Sequence, residues 1–140
     1  MDIPYNTDSW DGYPRERNKL YKILSKSQSS IVLTGDNHNS WISNLYDDVQ
    51  NFIGIEIAAP SISSPNSVDI FGSRTEDIDK DFIKHNKNLK WANGSGKGFV
   101  KLTIESNQIE AKFLYVSSIK SKQYRLIDNN RFTIKHSKPI

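Results

Sequence analysis

A carboxylate and an imidazole stand two residues apart at Asp36 and His38, just after the apolar run Ile31-Val32-Leu33-Thr34 and Gly35. In an extended segment, residues i and i+2 point the same way. This spacing lets both side chains reach one hydrated volume at the mouth of a sheet. An oxygen donor and a nitrogen donor converging there suit a divalent or trivalent metal ion. The same residues also read as a polar strand-to-loop turn, with Asp36 accepting from nearby backbone amides.

A second segment lies upstream. Trp10-Asp11-Gly12-Tyr13-Pro14 precedes a helical stretch, the apolar strand and then Gly35-Asp36-Asn37-His38-Asn39-Ser40-Trp41. In that order these blocks resemble the C-terminal part of the alkaline phosphatase D family, the PhoD-like metallophosphatases. Further matches are Glu56 within Phe52-Ile53-Gly54-Ile55-Glu56-Ile57, then Pro60-Ser61-Ile62-Ser63-Ser64, Asn88-Leu89-Lys90-Trp91 and Gly98-Phe99-Val100. The resemblance runs over roughly residues 3 to 116.

The resemblance implies a phosphoric ester hydrolase that works through a multinuclear metal site, with Fe3+ and Ca2+ as its ions. Such hydrolysis needs ions that bind phosphoryl oxygens, a metal-activated water and a site for the leaving group. The family's last ligand block maps onto Asp36 and His38. Asp11 sits in a turn before a helix, and there it either binds or orients a metal or caps the helix. Trp10 either walls the substrate pocket or packs. Asn37, between the two ligand positions, is a candidate phosphate contact.

The family's other ligands are a bridging aspartate, a tyrosine close behind it, an asparagine and a cysteine, all from earlier strands. This chain has no cysteine. Asp2-Ile3-Pro4-Tyr5 has an Asp-x-x-Tyr spacing without the preceding strand, and reads as coincidence. The chain is therefore expected to be the C-terminal half of a larger enzyme, inactive or nearly so alone, with the missing N-terminal half of the domain as its partner. Cut from that half, it should expose sheet edges and apolar faces. The implied fold is part of an α/β/β/α sandwich, β-rich with two helices. The implied setting is extracellular or periplasmic, although no signal peptide follows Met1 because Asp2 and Pro4 break any apolar run.

The elements that must position these residues are legible from pattern. Pro14 suits a first helical turn, and Leu20, Ile23 and Leu24 form an i, i+3, i+4 stripe, so a helix is expected over 14–27. Ser27 to Ser30 reads as a turn. Residues 30–34 are continuously apolar, as a central strand would be. Strands are expected over 40–47 and 52–58, the second with Ile53, Ile55 and Ile57 on one side and Glu56 on the other, where a solvated face is the better reading and support of a metal ligand the other. Residues 60–73 read as an ordered loop. Ser73 and Glu76 have capping-box spacing ahead of a helix over 75–86. Residues 99–104 and 109–116 form a hairpin around Ser106-Asn107. Arg131 to Lys135 is a candidate edge strand.

Composition narrows the alternatives. A chain of 140 residues is one domain or part of one, and 36% hydrophobic content is low for a self-sufficient one. No segment has the length of a membrane span. Without cysteine there is no disulfide or thiolate site. Residues 1–118 read as the PhoD-like portion and 119–140 as a basic tail, in which six Lys and Arg residues face Asp128 alone. That tail, with Tyr115, Tyr124 and Phe132, leaves a nucleic-acid-binding module as the alternative, beside a non-catalytic interaction module. Dispersed charges fit a solvated surface better, so nucleic acid is not the expected partner. His85 and His136 have no ligand-type neighbours and read as surface histidines. Gly94 to Gly98 lacks Walker spacing and reads as a hairpin loop.

Overall fold

A computed structural model describes residues 8–27, 30–135 and 138–140. The Asp2 to Tyr5 segment, part of the turn expected over 27–30, and His136 lie outside the described residues. Strands β1 (Ser30–Thr34), β2 (Ser40–Tyr46), β3 (Phe52–Ala58) and β4 (Leu89–Asn93) form one sheet in the order β1-β3-β2-β4. Strands β5 (Gly98–Ile104), β6 (Gln108–Val116) and β7 (Leu126–Lys135) form a second, in the order β5-β6-β7. The first sheet is mixed, since β1 pairs parallel to β3 while β2 runs antiparallel to β3 and β4. The second is antiparallel throughout.

Alternation in the strands explains why the sheets face one another. Ile42 of β2 and Ile55 and Ile57 of β3 point inward, and so do Ala111, Phe113, Tyr115 and Ile134 of β6 and β7. Together they form one buried cluster. Trp91, Phe113 and Phe132 pack as a ring trio, with centroids 4.6, 5.2 and 6.0 Å apart. The sheets are also tied by one buried polar contact, in which the Tyr115 hydroxyl donates to Ser40 Oγ at 2.8 Å.

Helices α1 (Pro14–Leu24), α2 (Ser67–Phe71) and α3 (Thr75–His85) complete the described elements, with short 3-10 turns at Trp10–Gly12 and Gly72–Arg74. Helix α1 begins on Pro14, as expected, and closes at Leu24, where the Ser25 N–H reaches back to the Tyr21 carbonyl at 2.8 Å. Helix α3 contacts β4, and Phe82 on it meets Trp41 at 6.0 Å. Trp41 thus packs, on the face of β2 opposite the inter-sheet core.

Several expectations are revised. The apolar run of β1 suggested a central strand, yet β1 lies at the sheet's margin among the described residues, with Leu33 62% exposed. A continuous apolar run marks a strand meant to be covered, and here Leu33 is left uncovered among the described residues while Ile31 packs on the core. The expected 60–73 loop contains α2, which carries the capping box at Asn66 and Asp69. Ser73 falls in a 3-10 turn, and α3 has no side-chain cap. Strand β4 has no alternation strong enough to be read from the sequence. The Gly94 to Gly98 segment is not a hairpin loop but the crossover between the two sheets. Its glycines permit close approach: a Cβ on Gly96 would run into the Tyr115 ring, and one on Gly98 into the Leu114 carbonyl. The candidate edge strand at 131–135 is the second half of β7, which pairs with β6 along Leu126 to Lys135. Its Phe132 and Ile134 enter or flank the core, while Arg131 and Lys135 stay exposed.

Candidate functional site

The strand that leads into the Asp36–His38 block stops at Thr34, so these two residues lie beyond it. Both lie in the left-handed region, at φ 67° and 62°. Asn37 N–H closes onto the Gly35 carbonyl at 2.8 Å, and Asn39 N–H onto Asn37 Oδ1 at 2.9 Å. Extended i, i+2 geometry is therefore not what presents Asp36 and His38. A tight turn presents these side chains instead. Asp and His tolerate left-handed backbone better than most residues, and such outliers cluster where side chains must be aimed.

His38 is held in a defined state. Its Nδ1 lies 2.6 Å from the Pro65 carbonyl oxygen. A carbonyl only accepts, so Nδ1 carries the proton, and in the neutral ring Nε2 keeps its lone pair. This is how metal-ligating imidazoles are commonly oriented, with one nitrogen donating to a carbonyl and the other free to bind. Asp36 is exposed. Asn37 uses its Oδ1 within the turn, which leaves its amide group as the part able to reach a ligand.

Asp11 is neither a helix cap nor a neighbour of that turn in any three-residue ligand group. Its Oδ1 accepts from Arg17 Nη1 at 2.6 Å. Among the described residues no three His, Cys, Asp or Glu side chains converge to hold a metal ion. Trp10, on the same 3-10 turn, is 50% exposed, so it does not pack as an interior residue. His85 is exposed, its Nδ1 on the Asp81 carbonyl of its own helix.

Glu56 departs from the solvated-face expectation. It is half-buried and accepts from Thr34 Oγ1 at 2.8 Å, at the end of β1 just before the turn. Tyr21 of α1 lies close by. Burial pushes its hydroxyl above the usual value; the nearby Arg17 opposes this, and the Glu56 and Asp11 carboxylates add to it. Helix α1, the Asp11 turn and the end of β1 thus share one side of the mixed sheet.

Three residues that the sequence did not single out also matter here. Pro65 supplies the carbonyl to His38. Asp69 Oδ2 accepts the Asn66 N–H at 3.0 Å and the Lys97 ammonium at 2.6 Å. Lys97 also donates to the Ser64 carbonyl at 2.7 Å. The only sequence signal for them was the Asn66-x-x-Asp69 spacing, a capping box with Asp in place of the usual Glu or Gln.

The chain is 34% identical over 116 residues to alkaline phosphatase D of Bacillus subtilis, an alignment covering 78% of this chain and 19% of that protein. A solved structure described as PhoD superposes with a TM-score of 0.78 at 26% identity, covering 95% of this chain and 26% of the other. The chain thus spans about a fifth to a quarter of the length of these relatives. The sequence profile of the PhoD-like phosphatases matches residues 1–113, which take in the Asp11 turn, the Asp36–His38 turn and both sheets as far as β6, and the chain belongs to the PhoD-like phosphatase family.

Proposed function

We propose that this chain contributes the Asp36–His38 end of a multinuclear metal site in a phosphoric ester hydrolase of the alkaline phosphatase D type. The observation that carries the reading is the His38 ring, whose Nδ1–H is committed to the Pro65 carbonyl so that Nε2 is left as a donor. Asp36, exposed on the same turn, offers an oxygen donor, and together they fit a hard or borderline cation. Iron and calcium are the ions the family resemblance implies. When bound, such ions polarise a phosphoryl oxygen and activate water.

The chain's own residues do the rest. The turn fixes the direction of Asp36 and His38. Asn37 offers its amide group to a phosphoryl oxygen, and the exposed Trp10 ring borders the leaving group. Asp11, tied to Arg17, orients the turn that presents Trp10 rather than binding metal.

Two donors are too few to hold an ion tightly, so the remaining ligands come from a partner portion of the domain. Exposed apolar side chains support such a partner, including Leu33 at 62% on β1. The second helical layer of an α/β/β/α sandwich, and an extracellular or periplasmic setting, belong to this same proposal.

The test is a chimera in which residues 8–116 replace the matching segment of Bacillus subtilis alkaline phosphatase D, assayed on p-nitrophenyl phosphate and its diester. Activity that falls at least 100-fold, roughly, with His38→Ala is expected, because ligand loss removes the metal's contribution. A folded but inactive chimera contradicts the reading. In the 140-residue chain alone, hydrolysis lost on Asp36→Ala would overturn the view that the site is incomplete.

A further inference from the structure

The Pro65 carbonyl that orients His38 belongs to the peptide group whose N–H is that of Asn66. That N–H donates to Asp69 Oδ2 at 3.0 Å, while the carbonyl accepts from His38 Nδ1 at 2.6 Å. In a planar trans peptide the C=O and N–H point in opposite directions, and no described peptide here is cis. Fixing one end therefore aims the other. The Asp69 carboxylate is itself gripped by Lys97 Nζ at 2.6 Å, and the same ammonium holds the Ser64 carbonyl one residue before Pro65 at 2.7 Å. The Lys97 side chain is only 11% exposed, so this ion pair is poorly screened at its cationic end.

We propose that Asp69, held by Lys97, is a positioning residue that sets the His38 tautomer through the Pro65–Asn66 peptide group. A carboxylate hydrogen-bonded to a metal-ligating imidazole is a known way of fixing ring orientation and raising donor strength. Here one peptide plane is interposed. An anionic acceptor on the N–H polarises the amide, which makes its carbonyl oxygen a better acceptor for the imidazole N–H, since chained hydrogen bonds reinforce one another. The Lys97 ammonium first, and the Asn66 N–H second, hold the Asp69 carboxyl below its usual range, so the anion persists at neutral pH. Asn66 adds a second tether, its Nδ2 donating to the Gly96 carbonyl at 3.2 Å beside Lys97. The segment from Ser64 to Asp69 is thus anchored on the crossover between the sheets at two points, Gly96 and Lys97.

The inference rests on His38 being a ligand position, but its test does not require metal. Long-range 1H–15N correlation spectra of the metal-free chain, recorded where the imidazole is neutral, report which ring nitrogen carries the proton. The wild-type chain should show His38 protonated on Nδ1. Asp69→Ala should shift the tautomer ratio toward the Nε2–H form by about fivefold, the worth of one hydrogen bond. Asp69→Asn, which still offers an acceptor to the Asn66 N–H but no charge, should restore only part of the wild-type ratio. Lys97→Met should move the ratio in the same direction as Asp69→Ala, and Lys97→Arg should not. If Asp69→Ala loses its dispersed spectrum, Lys97→Met decides the matter. A wild-type His38 protonated on Nε2, or an unchanged ratio in a folded Lys97→Met or Asp69→Ala chain, would overturn the relay. A tautomer shift without loss of activity in the chimera would leave the relay standing and remove the metal-ligand reading instead.

Discussion

The two sheets divide the work differently. The three-stranded sheet is antiparallel with one register shift, between Phe113 and Leu114, and it contributes Ala111, Phe113, Tyr115 and Ile134 to the core. Its outward charges form exposed or half-exposed pairs, such as Lys112–Asp128 at 2.6 Å and Arg131–Glu110 at 3.4 Å, of the sort that contribute little to stability. The four-stranded sheet is mixed and carries two register shifts. Its connections hold the left-handed residues, the Asx turn, the capping box and the Lys97 grip. One sheet is therefore a scaffold read by burial, and the other positions polar groups at its rim. Substitutions should separate the two roles.

The largest effect should come from the scaffold. Phe113→Ala removes a fully buried ring that meets Trp91 and Phe132. It should cost about 3–5 kcal/mol in denaturant unfolding, enough to unfold a marginal domain. A loss under 1 kcal/mol, roughly, would mean that the sheets do not share this core. Next is the polar tie between the sheets. Tyr115→Phe strands Ser40 Oγ without its donor and should cost about 1–3 kcal/mol. Burial pushes the Tyr115 hydroxyl up to about 12, with the Ser40 hydrogen bond opposing, so this tyrosine should ionise last in an alkaline absorbance titration.

A pH-dependent effect of intermediate size belongs to Asp79 of α3, which accepts the Gly94 N–H at 2.9 Å. Burial holds its carboxyl above the usual value of 3.8, with the Gly94 hydrogen bond opposing and the Glu76 charge adding. The folded state keeps this proton to higher pH than the unfolded chain does. The associated stability is present in acid and is lost as pH rises from 3.8 through the raised value. Asp79→Asn keeps an acceptor for Gly94 and should flatten that part of the stability profile, with about 0–1 kcal/mol gained at neutral pH. A steeper profile in the variant would contradict the assignment.

The smallest effects on stability should fall on the functional turn. Asp36→Gly relieves a residue at φ 67° and should leave stability unchanged or raise it by up to about 1 kcal/mol. The same change should abolish activity in the chimera. A large stability loss here would make Asp36 a structural residue and erase the contrast between the sheets.

What the sequence made legible follows from the same contrast. Alternation and continuous apolar runs located β1, β2, β3 and the β5–β6 hairpin, because burial on one or two faces writes directly into residue type. Ile55 and Ile57 face the inter-sheet core and Glu56 the other way, but the register shift at Leu45/Tyr46 puts Phe52 against that core, and Ile53 is buried outside the cluster. The Asp36–His38 pair was visible as chemistry, but its geometry was not. The left-handed turn depends on hydrogen bonds to Gly35 and Asn39, which a two-residue period does not encode. Lys97 was not visible as a functional residue, and Asp69 only as the end of a capping-box spacing. Each reads as an ordinary surface charge, and only the crossover between the sheets brings them together beside Pro65. Strand β4 was missed for a related reason: Lys90 is exposed beside buried Leu89 and Ala92, and a register shift at Ile42/Ser43 breaks the alternation.

The central claim is that the Asp36–His38 turn is one end of a metal site. The most direct measurement is a titration of the isolated chain with Mn2+, followed residue by residue through paramagnetic line broadening. The account predicts weak, saturable broadening centred on Asp36, Asn37 and His38, lost in His38→Ala. Broadening centred instead on an acidic turn such as Asp47-Asp48, with residues 36–38 untouched, would contradict it.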